Sequence, residues 1–348
     1  MSLLKVLHVG VAGRGIWPLK LCNADTGFVP AALCDSNETS LQQAREKTGL
    51  PASACFTNLD EAIARSNVDC MIVCTPTIFH VPMAKKAIAA KLPVLIEKGM
   101  APDWINALDL ANTAKEKNAL VAVAQNYRYS AMERTIWQCL RDVNHPAHPG
   151  AVHMITYTQQ RVRPEPRTLN YPFASVWDMS CHHFDNLIYW LAQVEQMSAF
   201  SWRTDWSKYS HDNNTAAHIV MENGAHAHYI HTHDAARASL EVQIHGQRGA
   251  LFRVDDQLTF SERPLEQFGT RPIAPVPLLE AHGEADLLRD FHAYITQGRE
   301  PGISVANNLQ TMAACEMMVR SISEHRTVRR EELNMNRQDA KSPRKQQR

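Results

Sequence analysis

Short apolar runs alternate with amphipathic stretches through the first 125 residues of the chain. The apolar runs have the length and composition of buried strands, and the stretches between them repeat apolar residues at helical spacing. The predicted strands are residues 5–12, 29–34, 69–74, 93–96 and 120–124, and the predicted helices are residues 19–23, 39–48, 58–65, 81–90 and 104–117. This alternation predicts an α/β domain with a doubly wound parallel sheet.

The pattern changes after residue 125, where longer strands follow one another with alternating apolar and polar residues. The predicted strands are residues 151–160, 215–222, 225–233, 240–245 and 250–254, and two amphipathic helices follow at 284–297 and 305–325. Strands in succession predict a second, α+β domain with a large, mostly antiparallel sheet. We therefore expect a first domain over residues 1–125, a second over 126–330, and a polar, disordered tail over 331–348.

Composition excludes few classes of protein. Lys plus Arg equals Asp plus Glu at 36 each, so the charge balance gives no indication of nucleic acid or of an anionic membrane as a partner. No apolar run approaches the length of a membrane span, and the first residues lack the apolar region of a signal peptide. The eight cysteines form no CxxC pair, which fits reduced thiols, and we expect a cytoplasmic protein.

A glycine turn lies between the first predicted strand and the first helix. It reads Gly13-Arg14-Gly15-Ile16, in the strand–turn–helix context that a dinucleotide fingerprint requires. We expect Gly13 to permit the tight turn and Gly15 to let the backbone approach a pyrophosphate at the helix N-terminus. Arg14 and Ile16 are the neighbouring candidates for cofactor binding. Pro18 stands where the third glycine of the fingerprint is expected.

Other polar residues follow the later strands, at the edge of a parallel sheet where ligands bind. Asp35 lies twenty residues after Gly15, where a carboxylate accepts hydrogen bonds from the adenosine ribose. That carboxylate would repel a 2′-phosphate, so we expect NAD, with NADP as the alternative if Arg14 reaches the phosphate. Thr75, Glu97 and Lys98 follow two further strands and should lie at the same edge.

The stretch from Asp178 to Asp185 is predicted to be helical. Asp178 and His182 are four residues apart and therefore share one helix face. Because histidine titrates near neutral pH, an imidazole steadied by a carboxylate can act as a general base. The alternative is a buried, hydrogen-bonded histidine of the core.

Together these motifs resemble the glucose–fructose oxidoreductase / inositol dehydrogenase family of two-domain NAD(P)-dependent oxidoreductases, over roughly residues 4–330. Four motifs carry the resemblance: Gly13-Arg14-Gly15 with Asp35, the stretch from Thr75 to His80, Glu97-Lys98, and Asp178 with His182. The resemblance implies that Lys98, Asp178 and His182 form the catalytic set. It also implies that Thr75, His80, Glu97 and Lys98 contact the cofactor.

The chain departs from the family pattern at several positions. Gly99 replaces the proline that usually follows the lysine, and Ala131 stands where a proline often follows Tyr127-Arg128-Tyr129. Val176-Trp177 replaces the glycines that often precede the helix aspartate. We expect Trp177 and Arg128 to lie at the substrate, together with the catalytic set.

The resemblance implies hydride transfer between the nicotinamide and a hydroxyl or carbonyl group of a sugar, polyol or cyclitol. His182 would take the hydroxyl proton, Lys98 would stabilise the developing alkoxide, and Asp178 would orient His182 or bind a neighbouring hydroxyl. Two alternatives remain: transient oxidation by bound NAD during glycoside cleavage or elimination, and a non-catalytic sensor of nucleotide and sugar. The family commonly uses a free sheet face for subunit contact, so we expect a homo-oligomer, a dimer or a tetramer.

A run of histidines in the second predicted domain resembles a metal-binding sequence. On a strand, His226 and His228 would face one side, and His231 and His233 the other. Each face then gathers two imidazoles, one fewer than the three protein ligands of a catalytic zinc site. We therefore predict no metal and interpret the run as a polar sheet face or a subunit interface.

Overall fold

The computed structural model describes residues 3–165, 171–264 and 272–333. Within these ranges the chain divides into two compact units. The first comprises residues up to 126 together with 282–312, and the second comprises residues 127–281 and 313–333. The segment 282–312, which the sequence pattern assigned to the second domain, therefore belongs with the first. Of the predicted tail, residues 331–332 lie in a 3₁₀ turn, Leu333 is buried, and residues 334–348 lie outside the described ranges.

The first unit is built on a six-stranded parallel sheet with the strand order β3-β2-β1-β4-β5-β6. The strands are β1 (Leu4–Val9), β2 (Phe28–Cys34), β3 (Cys55–Phe56), β4 (Cys70–Val73), β5 (Val94–Ile96) and β6 (Val121–Val123). The helices are α1 (Ile16–Leu21), α2 (Glu38–Thr48), α3 (Leu59–Arg65), α4 (His80–Ala89) and α5 (Trp104–Glu116). The doubly wound parallel sheet is thus confirmed, with the two-residue β3 as an addition.

Local sequence explains where these helices begin. Asn37, Asn58 and Asp103 are the N-cap residues of α2, α3 and α5, and each side chain accepts a backbone N–H from the first turn. Such caps satisfy amide groups that the helix itself leaves without acceptors. The central strands β1 and β4 are buried, as expected for a parallel sheet that is covered on both faces.

Long-range packing attaches the later segment to the first unit. Helix α8 (Glu284–Gln297) stacks Phe291 on Phe28 of β2, with 5.8 Å between the ring centroids. A Cβ at Gly27 would lie 2.4 Å from the ring of His292, so only glycine allows α8 to approach this closely. These contacts join residues far apart in the sequence, and hydrophobic periodicity alone gives no indication of them.

The second unit contains a nine-stranded sheet with the order β14-β13-β12-β11-β7-β10-β9-β8-β15. The strands are β7 (Val152–Val162), β8 (Val194–Trp202), β9 (Asn214–Met221), β10 (His226–Thr232), β11 (Asp234–Gly246), β12 (Gly249–Val254), β13 (Gln257–Glu262), β14 (Ala274–Pro275) and β15 (Val328–Arg329). Only β7 and β10 pair in parallel, so the mostly antiparallel sheet is confirmed. The sequence pattern missed β8, in which a register shift between Val194 and Gln196 interrupts the alternation.

The helices of the second unit are α6 (Ala131–Arg141), α7 (Cys181–Trp190) and the later part of α9 (Val305–Glu324). One face of the sheet is buried and includes Tyr157 and Tyr229, whose rings lie near Phe184 and Trp190 of α7. The opposite face, here called the free sheet face, exposes Phe200, Trp202, Ile230 and Val254. Along β10, exposed residues alternate with buried ones, as a two-faced strand requires.

No helix within the described ranges combines the length and the hydrophobicity needed to cross a membrane.

Candidate active site

Gly10 and Gly15 bring the end of β1 and the start of α1 into close contact. Gly10 has a φ of +78°, and a Cβ there would lie 2.8 Å from the carbonyl carbon of Cys74. A Cβ at Gly15 would lie 1.9 Å from the carbonyl oxygen of Gly10. Gly13 also has a positive φ, of +52°, but a Cβ at this position would meet no atom within 4 Å. Steric contact therefore requires glycine at positions 10 and 15.

This geometry changes the assignment of the fingerprint. Counted from Gly10, the G-x-G-x-x-G positions fall on Gly10, Ala12 and Gly15, with alanine at the second position. Gly15 therefore has the third role, close helix–strand packing, which we had expected at Pro18. Pro18 instead is buried within α1. Counting the spacing from the first glycine after the strand would have identified Gly10 from the sequence.

Glu97 connects the glycine turn to the end of β5. Its side chain is 3% exposed, and Oε1 accepts hydrogen bonds from Arg14 Nε at 2.7 Å and Trp17 Nε1 at 2.9 Å. Its Oε2 accepts the backbone N–H of Lys98 at 2.8 Å. Glu97 was predicted to contact the cofactor, and its position shows a structural role that the sequence did not reveal. Trp17 was missed altogether.

Arg14 lies between two carboxylates. Its guanidinium is 2.7 Å from Glu97 and 2.7 Å from Glu284 of α8. Although partial burial opposes the charge, the two carboxylates raise the pKa of Arg14 above its usual value. The guanidinium is therefore held at the turn as a cation with two anionic partners.

Asp35 lies at the expected edge of the sheet, beside a cavity of about 470 Å³. Its Oδ2 accepts the N–H of Val11 at 2.9 Å, and its Oδ1 accepts the N–H of Asn37 at 2.9 Å. The cavity is lined by residues of the glycine turn and of the ends of β2 and β4, among them Gly10, Ala12, Asp35, Ser36, Thr75 and Phe79. The glycines allow close approach, and the carboxylate lies next to the space, so these residues fit the adenosine half of a dinucleotide.

His80 joins the two loops that follow β4 and β5. It is fully buried, with Nδ1 2.7 Å from the carbonyl oxygen of Gly99 and Nε2 2.8 Å from that of Thr75. Burial lowers the pKa of His80 below its usual value. Both ring nitrogens lie against backbone carbonyls, so His80 fixes the residue after Lys98 and the Thr75 loop. Direct contact of His80 with the cofactor stays a prediction.

In the second unit, Asp178 lies in a π turn, Val176–Ser180, directly before α7. The N–H of Cys181 bonds to the carbonyl of Val176, five residues earlier, whereas the sequence predicted a continuous α-helix. Such turns are rare and occur frequently at functional sites. Burial and the neighbouring Asp178 raise the pKa of Tyr171. Trp177, in the same turn, is 6% exposed.

His182 is the second residue of α7 and is buried. Its ring stacks on that of Tyr127, with 3.9 Å between centroids and 11° between planes. The hydroxyl oxygen of Tyr127 accepts a hydrogen bond from Arg161 Nη2 at 3.0 Å. The sequence gave no indication of Tyr127 or Arg161 as neighbours of His182, because each lies in a different element.

His183 has a different environment. It is fully buried, and its Nδ1 is 2.8 Å from the hydroxyl oxygen of Tyr229, which is also 2.8 Å from that of Ser180. Burial, and then the neighbouring His182 and nearby arginines, lower the pKa of His183 well below its usual value. His183 is therefore a neutral core histidine, whereas His182 stacks on Tyr127.

Arg128 forms a buried ion pair with Asp185 of α7. Its Nε donates to Oδ2 at 2.9 Å and its Nη2 to Oδ1 at 2.5 Å, and the guanidinium lies over the ring of Tyr189 at 5.1 Å. We had expected Arg128 at the substrate. Its two-point contact with Asp185 anchors the 3₁₀ turn Tyr127–Tyr129 to α7, and its role at the substrate stays a prediction.

The histidines of β10 and its end lie on opposite sides of the sheet. His226 and His228 are exposed, and His231 and His233 are buried. The exposed pair stacks with His218 of β9. Across the described ranges, no group of three or more His, Cys, Asp or Glu side chains has an arrangement that could hold a metal ion.

Comparison with known proteins gives the family. Residues 5–125 match an oxidoreductase family with an NAD-binding Rossmann fold, and residues 148–252 match the GFO/IDH/MocA C-terminal domain. The chain belongs to the GFO/IDH/MocA family. This confirms the resemblance drawn from the sequence motifs, and it makes the first unit an NAD-binding Rossmann domain.

Some curated relatives match only part of the chain. An inositol 2-dehydrogenase of Corynebacterium glutamicum (strain R) is 32% identical over 103 residues, which are 28% of this chain and 30% of that protein. The chain spans between 26% and 30% of the length of the first curated relatives that it matches.

Solved structures of two oxidoreductases align over nearly the whole chain. An oxidoreductase of Agrobacterium radiobacter, in complex with NAD+, L-tartaric acid and magnesium, has a TM-score of 0.79 at 18% identity and covers 95% of this chain and 99% of its own. A putative NADPH-dependent oxidoreductase of Desulfitobacterium hafniense has a TM-score of 0.85 at 16% identity, with 96% and 100% covered. At these identities the likeness is one of fold.

Proposed function

We propose that this protein is an NAD-dependent dehydrogenase that oxidises a CH–OH group of a sugar, polyol or cyclitol to a carbonyl. The observation that carries the proposal is His182, a buried imidazole stacked on Tyr127 directly after the π turn that holds Asp178. It occurs in a chain whose first unit is an NAD-binding Rossmann domain. The inositol 2-dehydrogenase relative supports the class of substrate.

In this mechanism the chain's own residues handle the proton and the oxygen. His182 takes the hydroxyl proton as general base, a contribution of about 10²–10⁴-fold in rate. The family resemblance assigns to the Lys98 ammonium the stabilisation of the negative charge that develops on the oxygen. Asp178 orients the imidazole or binds a neighbouring hydroxyl. The bound nicotinamide supplies the hydride acceptor, so each turnover gives one carbonyl product, one NADH and one proton.

Several contacts in the first unit support NAD rather than NADP as the cofactor. Asp35 lies at the cavity beside the glycine turn, where its carboxylate would repel a 2′-phosphate. Arg14 was the residue that could have compensated. Its guanidinium is instead held by Glu97 and Glu284, which reduces its ability to pair with a phosphate.

The chemical class of the relatives also bears on the two alternatives. The inositol 2-dehydrogenase and the two solved structures are described as dehydrogenases or oxidoreductases. These descriptions favour neither transient oxidation during elimination nor a non-catalytic sensor. We further propose that the protein is a homo-oligomer. The large apolar side chains exposed on the free sheet face support subunit contact there.

The direct test is a screen of sugars, polyols and cyclitols for NADH formation at 340 nm with the full-length protein. At least one compound should reduce NAD, and His182→Ala should abolish the signal with that compound. If His182→Ala forms NADH as fast as the wild type, His182 is not the base. A screen in which NAD binds but no compound is oxidised would contradict the dehydrogenase proposal.

A further inference from the structure

Arg161 is connected to the proposed base, His182, through the side chain of Tyr127. It is the next-to-last residue of β7, and its Nη2 donates to the hydroxyl of Tyr127 at 3.0 Å. The other end of the arrangement is His182, on which the ring of Tyr127 stacks. The Arg161 cation is thus linked to the His182 imidazole through the side chain of Tyr127, within one unit of the molecule.

Arg161 differs in its pairing from two other arginines of the second unit. Arg128 is paired with Asp185, and Arg253 is paired with Glu133, both through buried contacts of 2.5 Å. For Arg161, by contrast, no carboxylate within the described ranges forms an ion pair, and its buried Nε has no hydrogen-bond acceptor there. Buried donors are nearly always satisfied, so an Nε without an acceptor indicates a place for one.

Buried, neutral histidines lie near Arg161. His183, His231 and His233 are buried near it, with ring centroids 5.3 Å apart for the first two and 4.7 Å for the last two. Burial is the main cause that lowers the pKa of His231 well below its usual value, and His183, His233, Arg161 and Arg163 lower it further. Within the described ranges, His183 Nε2 and both ring nitrogens of His231 and His233 have no partner.

One carboxylate does lie near this cluster, but its oxygens are occupied. This carboxylate is Asp234. Its Oδ1 accepts a hydrogen bond from Asn213 at 2.9 Å, and its Oδ2 accepts one from Asn214 at 3.2 Å. The hydroxyl of Thr204 donates to Oδ2 as well. The buried imidazoles of this cluster are neutral, so its positive charge comes from the arginines, and within the described ranges no acceptor lies against Arg161 Nε.

We propose that Arg161 binds a carboxylate of the substrate, so that the substrate class is a hydroxy acid of the sugar-acid type rather than a neutral sugar or cyclitol. A guanidinium presents two parallel N–H groups that match the two oxygens of a carboxylate. With the carboxylate at Arg161, the hydroxyl to be oxidised lies toward His182. This inference rests on the proposed dehydrogenase function and narrows its substrate.

The test compares matched pairs that differ in one group: D-glucose with D-glucuronate, and D-galactose with D-galacturonate. We expect kcat/KM with NAD to favour the acid by about tenfold or more, which corresponds to one well-formed charged contact. Arg161→Gln should reduce this ratio to near one, mainly through KM of the acid. Arg161→Lys, which keeps the charge and loses the planar fork, should give an intermediate ratio. Arg237→Gln, at an exposed position of β11, is the matched control and should keep the wild-type ratio.

Each outcome decides the inference. The inference is overturned if kcat/KM for the neutral sugars equals that for the acids. It is also overturned if Arg161→Gln lowers kcat/KM equally for both members of a pair. D-glucose 6-phosphate preferred over D-glucuronate would also overturn it, by assigning the site to a phosphate. If none of these compounds is oxidised, the wider screen of sugars, polyols and cyclitols decides the dehydrogenase proposal, and binding decides the carboxylate site. In that case calorimetry should show that D-glucuronate binds and D-glucose does not, and that Arg161→Gln, with an unchanged melting temperature, no longer binds D-glucuronate. If the wild type does not bind D-glucuronate, the carboxylate site is overturned.

Discussion

Gly15 lies so close to Gly10 that a Cβ at position 15 would be 1.9 Å from the carbonyl oxygen of Gly10. No side chain fits this distance, so the start of α1 and the end of β1 must separate if any other residue replaces Gly15. The backbone of Gly15 is in an ordinary right-handed conformation, with φ −64° and ψ −10°. The requirement for glycine is therefore purely steric.

We predict that Gly15→Ala weakens NADH binding at least about tenfold and lowers the free energy of unfolding by about 1–3 kcal/mol, as overpacked sites do. Fluorescence titration and urea unfolding measure the two effects. Gly224→Asn is the control: a Cβ there meets no atom, and asparagine tolerates the left-handed φ of +80°. Unchanged NADH affinity in Gly15→Ala would contradict the assigned role.

We predict that NADH binds more tightly than NADPH. Asp35→Ser should lower the ratio of the NADPH dissociation constant to the NADH dissociation constant by at least about tenfold. The physical reason is the loss of repulsion between the Asp35 carboxylate and a 2′-phosphate. Titration of both cofactors against both proteins gives the four dissociation constants. Tighter binding of NADPH by the wild type would show that Arg14 determines the preference in spite of its two carboxylate partners.

Local sequence predicted the alternation of strands and helices in the first unit because buried parallel strands and capped helices have strong local patterns. It did not predict the membership of α8, which depends on contacts such as Phe28 with Phe291. In the candidate site, Asp35, Glu97 and His182 were predicted from spacing and topology. Tyr127 and Arg161 were missed because stacking and a single hydroxyl contact leave no periodic signal in the sequence.

Buried histidines should make the protein less stable in acid. Burial lowers the pKa of His8 in β1 to about 3, and burial with the neighbouring Arg163 and Arg161 lowers that of His233 to about 4. Between these values and 6.5 the unfolded chain binds protons that the folded chain does not, so the free energy of unfolding falls as the pH falls. Each such residue contributes about 1.4 kcal/mol per pH unit.

We predict that, from pH 7 to pH 5, the free energy of unfolding falls by about 2 kcal/mol less in His8→Leu than in the wild type. The substitution also removes two buried ring nitrogens that have no partner within the described ranges. Urea unfolding at the two pH values measures the difference, with the exposed His153→Leu as the control. An identical loss in His8→Leu and the wild type would mean that His8 does not resist protonation in the folded state.

The free sheet face predicts self-association. We expect light scattering at micromolar concentration to give a multiple of 39.2 kDa, and Ile230→Glu to shift the protein toward monomer. Ile230 is 44% exposed on this face, and a carboxylate there would have to be buried on association. Ile105→Glu, at a position 53% exposed in the first unit, is the matched control. A wild-type mass of a single chain would count against the interface.

The sharpest test of the site compares two adjacent histidines of α7. His182→Ala should lower kcat by about 10²–10⁴-fold, because it removes the proposed base, while NAD affinity changes little. His183→Ala should keep kcat per folded molecule within about tenfold and lower the free energy of unfolding by about 2–5 kcal/mol, because it empties a fully buried position next to Tyr229. Steady-state kinetics and urea unfolding of the same preparations separate the two effects. If His183→Ala abolished turnover in folded protein while His182→Ala left it intact, the base would lie on the core side of α7, and the roles of Tyr127 and Arg161 would have to be reassigned with it.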